Sequence, residues 1–266
     1  MMDAESECSR LTAQLPEGRA GHSLNIINNT AIICGGGGTR TSCIAASSPD
    51  GPWSPHSVTT GRRWGHGSAN AGGTVNLIGG GEPGTVESLV DGGWRRGTNP
   101  PFDFGGGNCA TQVSDNEILV TGGDGSERRA AIWNVKNNEW KQLAELSEGR
   151  YGHGCARVSQ NKVIITGGWD SNRVALKTSV IYDVKEGRWE ETGDMNFARA
   201  GLKVVTVKGG GRRRVFALGG LDQDGNDLDT VEEFIVNTKQ WIVSPIKLTN
   251  KRAYFDAVAV DRSKYC

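Results

Sequence analysis

Apolar and polar positions alternate in short bursts along the whole chain, and no apolar stretch approaches the ~18 residues of a membrane helix. The unit at 147–195 shows the pattern most plainly. "GHGCARVS" reads as a first strand, "QN" as a turn and "KVIITGG" as a second strand. A variable loop leads to a third strand in "TSVIYDV", the turn "KEGR" and a fourth strand in "WEETGDM". The second strand is a continuous apolar run, which suits a strand covered on both faces. Asn, Gly and Asp at the turns fit tight hairpins.

This unit repeats. Its Gly-Gly recurs at Gly35 and Gly36, Gly79 and Gly80, Gly122 and Gly123, Gly167 and Gly168, and Gly219 and Gly220, in steps of 44, 43, 45 and 52 residues. A Trp follows in each: Trp53, Trp94, Trp140, Trp189 and Trp241. Seven residues earlier stands an aromatic in three units, at Trp133, Tyr182 and Phe234, while Ala46 and Glu87 hold that slot in the first two. An Arg-x-Gly-His start pairs Arg19 with His22, Arg63 with His66 and Arg150 with His153; Arg199 and Arg252 keep the Arg alone. A group used once in catalysis would not recur in three units, so these residues are read as structural. Four-stranded sheets stacked around an axis bury their inner strands, which makes the chain an all-β propeller.

The double Gly after an apolar strand, the aromatic and the Trp at near-fixed spacing resemble the kelch repeat. The resemblance covers about residues 15 to 260 and implies a single kelch β-propeller over 1–266. The expected repeats are 15–58, 59–101, 102–146, 147–195 and 196–248, giving five full four-stranded blades. A partial sixth blade is expected from both termini, 1–14 with 249–266, because "CSRLTAQLPEGR" aligns with "WKQLAELSEGR" and "KRAYFDAVAV" reads as a first strand.

Composition sharpens this picture in three places. Gly is about 15% of the chain, near twice the ordinary ~7%, as many short turns require. The 30 Lys and Arg balance the 30 Asp and Glu, so charge supplies no reason to expect nucleic acid or an anionic membrane as partner. The start "MMDAESECSR" does not read as a signal peptide, and the six Cys form no C-x-x-C pair; reduced thiols in a cytoplasmic protein are expected. Cys109 and Cys155 share a repeat slot and are read as small core residues.

The candidate chemistry is thin. His22, His66 and His153 could form a metal trio, but a local hydrogen bond at each strand start is the simpler reading. "GGGEPG" at 79–84 is followed by a strand rather than the helix that a dinucleotide site needs. Asp222, Asp224, Asn226 and Glu233 imitate calcium-loop positions, with Asp227 where the loop requires Gly; a solvated acidic loop is the expectation. The galactose-oxidase-like members of the propeller superfamily need a Tyr–Cys cross-link, a second Tyr and two His, and no such set stands out among four Tyr. No cofactor and no catalytic activity are expected.

The resemblance places ligand contacts on the loops after the Gly-Gly and on the residue inside the Arg-x-Gly-His start. Those positions carry Arg40, Trp64, Glu82, Arg128, Arg129, Tyr151, Trp169, Asp170, Arg173, Asp222 and Asp224. Arg, Trp and Tyr are the usual anchors of protein interfaces. The expected function is a protein–protein interaction module of scaffold, cytoskeletal or substrate-recognition type, with partner-binding residues Arg40, Trp64, Arg128, Arg129, Tyr151, Trp169, Asp170 and Arg173. A metal-dependent enzyme and a carbohydrate-binding propeller are the alternatives; a small-molecule or glycan ligand is not the expectation.

Overall fold

A computed structural model describes residues 15–37, 41–48, 51–81, 85–209 and 212–260. The described residues form five four-stranded antiparallel sheets, each in sequential strand order. The first blade contains β1 (His22–Ile27), β2 (Thr30–Gly35), β3 (Ser42–Ala46) and β4 (Ser54–Val58). The second contains β5 (Gly67–Ala71), β6 (Thr74–Ile78), β7 (Val86–Val90) and β8 (Gly93–Arg96). The third contains β9 (Cys109–Ser114), β10 (Glu117–Thr121), β11 (Ala130–Asn134) and β12 (Glu139–Gln142). The fourth contains β13 (Gly154–Arg157), β14 (Lys162–Thr166), β15 (Ser179–Asp183) and β16 (Arg188–Glu191). The fifth contains β17 (Lys203–Gly209), β18 (Arg212–Leu218), β19 (Thr230–Ile235) and β20 (Gln240–Lys247).

The continuous apolar runs serve two interfaces at once. In β14, Val163 and Ile165 pack with Leu119 and Ile132 of the third blade. Ile164, between them, packs with Val204, Val215 and Ala217 of the fifth. In β10, Ile118 and Val120 join Ile78 and Val86 of the second blade, while Leu119 turns the other way. Each such side chain contributes about 1.5–3 kcal/mol by leaving water. The aromatic pairs lie directly across neighbouring strands: Trp133 opposite Trp140, Tyr182 opposite Trp189 and Phe234 opposite Trp241. Their ring centroids are 5.6, 4.8 and 5.1 Å apart. In the second blade the partner of Trp94 is Leu89, not Glu87, because a tighter turn shortens the spacing.

Six backbone hydrogen bonds close the inner ring. The amide of Gly65 donates to the carbonyl of Gly21 at 2.8 Å, Gly107 to Gly65 at 2.6 Å and Gly152 to Gly107 at 2.7 Å. Gly201 donates to Gly152 at 2.7 Å, Tyr254 to Gly201 at 2.9 Å and Gly21 back to Tyr254 at 2.8 Å. Residues near Tyr254 thus hold a sixth position between the fifth and first blades, with no strand assigned to 251–260. There Asp256 accepts from the Leu24 amide at 2.7 Å and pairs with Lys203 at 2.6 Å. The expected pairing of 1–14 with 249–266 falls largely on residues outside that description.

The repeated Gly-Gly is an inter-blade joint. The second Gly donates to the carbonyl of the next unit's Arg: Gly36 to Arg63, Gly123 to Arg150, Gly168 to Arg199 and Gly220 to Arg252. At Gly122, with φ of 57°, an added Cβ would lie 2.2 Å from the Arg150 carbonyl oxygen. No other residue fits so close an approach in the left-handed region.

The repeated Arg side chains are internal clips. Arg63, Arg150 and Arg199 are buried. Arg199 donates to the Gly219 carbonyl at 2.8 Å, to the Thr230 carbonyl at 3.0 Å and to Glu232 at 2.9 Å. Arg150 reaches Gly167, Thr178 and Glu148 in the same way, and Arg19 reaches Gly35, Ser42 and Glu17. Each fork ties the end of a second strand to the start of the third. Glu87, Arg63's partner, is wholly buried. The His residues link blades. His66 Nε2 shares a hydrogen bond with Ser23 Oγ at 2.8 Å, and His153 Nε2 with Thr121 Oγ1 at 2.9 Å. Burial, helped by a nearby Arg, lowers both imidazoles to about 3.

The expectation of reduced thiols is overturned. Cys34 and Cys43 face each other across β2 and β3, with Cα atoms 4.2 Å apart, and are bonded. Cys109 and Cys155 are bonded between the innermost strands of adjacent blades, with Cα atoms 6.0 Å apart. They do not share a slot: Cys109 stands opposite Thr121, whereas Cys155 stands opposite Ile165, one position further along its strand, so the two side chains leave opposite faces of their strands and meet between the blades. Cys8 and Cys266 lie outside the described residues.

Arg199→Met leaves Glu232 buried without its cation. It is expected to lower the unfolding free energy by about 3–5 kcal/mol in urea denaturation. Arg214→Met, at a pair whose guanidinium is exposed, should leave the urea midpoint unchanged. The two buried imidazoles stay neutral in the folded protein but take up protons once unfolded. Thermal stability should therefore fall as pH drops from about 6.5 towards 5, above the carboxylate range, and His66→Gln with His153→Gln should flatten that slope.

Candidate functional site

The residue before each ring member stands at one mouth of the propeller. These residues are Ala20, Trp64, Gly106, Tyr151, Ala200 and Ala253. The loops after the Gly-Gly emerge beside them. Tyr151 and Trp169 exchange both backbone hydrogen bonds, at 3.0 and 2.8 Å, and Ala200 and Leu221 do the same at 3.0 and 2.7 Å. Trp64 donates its amide to the Gly80 carbonyl at 2.6 Å. The ring glycines leave this surface without Cβ atoms, so large rings can lie across it. A Cβ on Gly21 would meet the Trp64 indole at 2.8 Å, and one on Gly201 would meet the Tyr254 ring at 3.0 Å.

Trp64, Tyr151 and Tyr254, with Asp124, line a cleft of ≈ 290 Å³ floored by Gly65, Gly106, Gly107 and Gly152. The Trp64 and Tyr254 ring centroids are 6.1 Å apart with 36° between their planes. Trp169 Nε1 donates to the Tyr254 hydroxyl at 3.2 Å, which extends the aromatic rim. Trp64 is 45% exposed, unlike the repeat aromatics in the blades. Desolvation raises the Tyr151 phenol above its ordinary value, with the nearby Arg173 charge pulling the other way. Among the described residues that line the cleft, Asp124 is the charged one, with Arg173 near Tyr151.

The structure sorts the residues expected from the sequence. Trp64, Tyr151 and Trp169 come together at the mouth, with Arg173 against Tyr151. Arg128 and Arg129 turn to Glu145, at 3.5 and 2.5 Å, and the Arg129 guanidinium lies 4.8 Å over the Phe102 ring. Neither lines the cleft. The Asp170 carboxylate accepts the Asn172 and Val174 amides at 2.8 and 2.7 Å and so caps its own loop. Arg40 and Glu82 lie outside the described residues.

The metal look-alikes are engaged elsewhere. Asp222 accepts the Asp224 and Asn226 amides at 3.0 and 2.8 Å, which holds its carboxyl below the usual range. Glu233 sits on β19 and pairs with Arg214 at 2.6 Å. His22, His66 and His153 all line the axial cavity, but His66 and His153 are tied to hydroxyls of neighbouring blades. Among the described residues no group of three or more His, Cys, Asp or Glu is placed to hold a metal ion. No described helix is long and apolar enough to cross a membrane.

Tyr254 and Asp124 were not legible as site residues. Tyr254 holds the ring position that the other five units fill with glycine, at φ of 51°. The alignment of "KRAYF" with the other starts carries that signal, since Tyr254 stands there in the glycine column. Asp124 follows the third Gly-Gly, in the column that holds Trp169 in the fourth unit.

Comparison with known proteins agrees with this architecture. A family model described as the kelch motif matches residues 149–196. Kelch-like protein 40 of Xenopus laevis is 26% identical over 187 residues, which cover 63% of this chain and 30% of that protein. Kelch-like protein 40 of Xenopus tropicalis is 27% identical over 139 residues, 48% of this chain and 22% of that protein. The chain thus matches less than a third of the length of these relatives. Five Gly-Gly sheets in a ring agree with the kelch motif that the family model matches in the fourth of them, and the similarity to kelch-like proteins supports a kelch-repeat architecture.

Proposed function

We propose that the propeller is a protein-interaction module that takes its partner at the mouth framed by Trp64, Tyr151, Trp169 and Tyr254. The observation that carries this reading is an aromatic rim that the fold does not need. The columns after the Gly-Gly hold Gly37, Gly81, Asp124 and Leu221 in the other units, so Trp169 answers no repeated packing demand. Rigid aromatic side chains from separate blades, held over a glycine floor, supply contact area at little entropic cost. A scaffold or substrate-recognition role fits this geometry, and kelch-like relatives support an interaction role over an enzymatic one.

We read residues near Tyr254 as the inner part of a closing blade, supported by the two ring hydrogen bonds of Tyr254 and by the contacts of Asp256 on both sides. We read the bridges Cys34–Cys43 and Cys109–Cys155 as fitting an oxidising compartment, against the cytoplasmic placement expected from sequence.

Combined Tyr151→Ala and Trp169→Ala substitution is expected to reduce recovery of bound proteins from a cell extract roughly 30-fold, as loss of ~2 kcal/mol of anchor energy would. Unchanged recovery by a variant with an unaltered melting curve would remove the mouth from the interaction. Alkylation of the native protein without reductant, followed by peptide mass mapping, should leave Cys34, Cys43, Cys109 and Cys155 unlabelled. Quantitative labelling of all four would restore the cytoplasmic reading.

A further inference from the structure

The mouth also carries a chemical bias. Three of the side chains lining the cleft present aromatic rings, and Asp124 is the charged one among the described lining residues. Ring faces are the negative ends of aromatic quadrupoles. Asp124 is exposed, and no ion pair to it is found among the described residues. The cations nearest in sequence are committed elsewhere: Arg128 and Arg129 to Glu145, and Arg150 to its own blade. Arg62 and Arg173 are not among the lining residues, and Arg173 lies near enough to Tyr151 to pull its phenol downwards. Among the described residues the cleft therefore offers π faces and one carboxylate without an ion pair, a combination that attracts a cation.

The geometry selects among cations. With centroids 6.1 Å apart and planes tilted by 36°, Trp64 and Tyr254 leave no slot for a group sandwiched between them. They form a broad face on which a flat group can lie. A guanidinium is planar, weakly hydrated and able to stack while its fork meets a carboxylate; an ammonium is compact and strongly hydrated. The glycine floor adds no side chain to obstruct it.

We propose that the cleft receives an arginine side chain of the partner polypeptide, its guanidinium stacked on Trp64 and Tyr254 and paired with Asp124. This rests on the reading of the mouth as the partner-binding face. Four Gly/Ser decapeptides, bearing one arginine, citrulline, lysine or glutamate at the centre, would be titrated into the full chain and followed by tryptophan fluorescence. The arginine peptide is expected to saturate, with citrulline, its neutral isostere, weaker by about 10-fold or more, and lysine between them. Asp124→Asn should weaken the arginine peptide by about 10-fold and leave the citrulline peptide unchanged, with the melting curve unaltered. Trp64→Ala should remove the saturable signal.

Equal binding of arginine and citrulline, tightest binding of glutamate, or indifference to Asp124→Asn would overturn the arginine site. If Tyr151→Ala with Trp169→Ala still costs partner recovery in that case, the interaction reading stands and the arginine site alone falls. If partner recovery is also indifferent to those substitutions, both fall.

Discussion

The structure depends on a circle of six amide-to-carbonyl hydrogen bonds at the start of the innermost strands. Each amide donates to the carbonyl of the unit before it, and the last link returns to the first. The bonds run from 2.6 to 2.9 Å, so the backbones must approach almost to contact. That distance explains why five of the six ring residues are glycine. It also sets where everything else stands. The residue before each ring member is lifted to the mouth, and in five of the six units the chain enters a strand beside the axis one or two residues after it. The Gly-Gly joint makes a second set of close contacts a little further out, between the end of one blade's second strand and the next blade's Arg carbonyl.

Between these two constraints the side chains divide their labour. Whatever repeats serves the frame. The Arg side chains clip second strand to third within a blade, His66 and His153 reach back to a neighbour's hydroxyl, and the Trp of the fourth strand covers an aromatic or Leu89 across the hairpin. What does not repeat gathers at the mouth: Trp64, Tyr151, Trp169, Tyr254 and Asp124. The frame can hold this rim rigid because the ring amides, the Gly-Gly joints and the Arg clips tie strand to strand and blade to blade. A partner docking there would meet a surface already ordered, which lowers the cost of binding.

Much of this was legible in the sequence, because strand runs and Gly-Gly spacing are local features. The double burial of Val163, Ile164 and Ile165 is written as three apolar residues in a row. What escaped depends on distances between blades or on turn length. The Cys109–Cys155 bond joins residues that only the stacking of neighbouring first strands brings together. Leu89 replaces Glu87 opposite Trp94 because one hairpin is tighter than the others, and Glu87 stands two residues before it, as Glu232 does before Phe234, in reach of the repeated Arg. Arg128 and Arg129 have the composition of interface anchors, yet Glu145 and Phe102 claim them. No residue pattern announces such competition.

Tyr254 is the exception in the circle, an L-residue at φ of 51° where glycine sits elsewhere. Holding a side chain in that region costs about 1 kcal/mol or more. The same side chain then supplies a wall of the cleft and the hydroxyl that meets Trp169. The seam of the ring and the wall of the binding cleft are one residue. An occupant of the cleft that pressed on Tyr254 would therefore press on the clasp as well, since its backbone makes two of the six ring bonds.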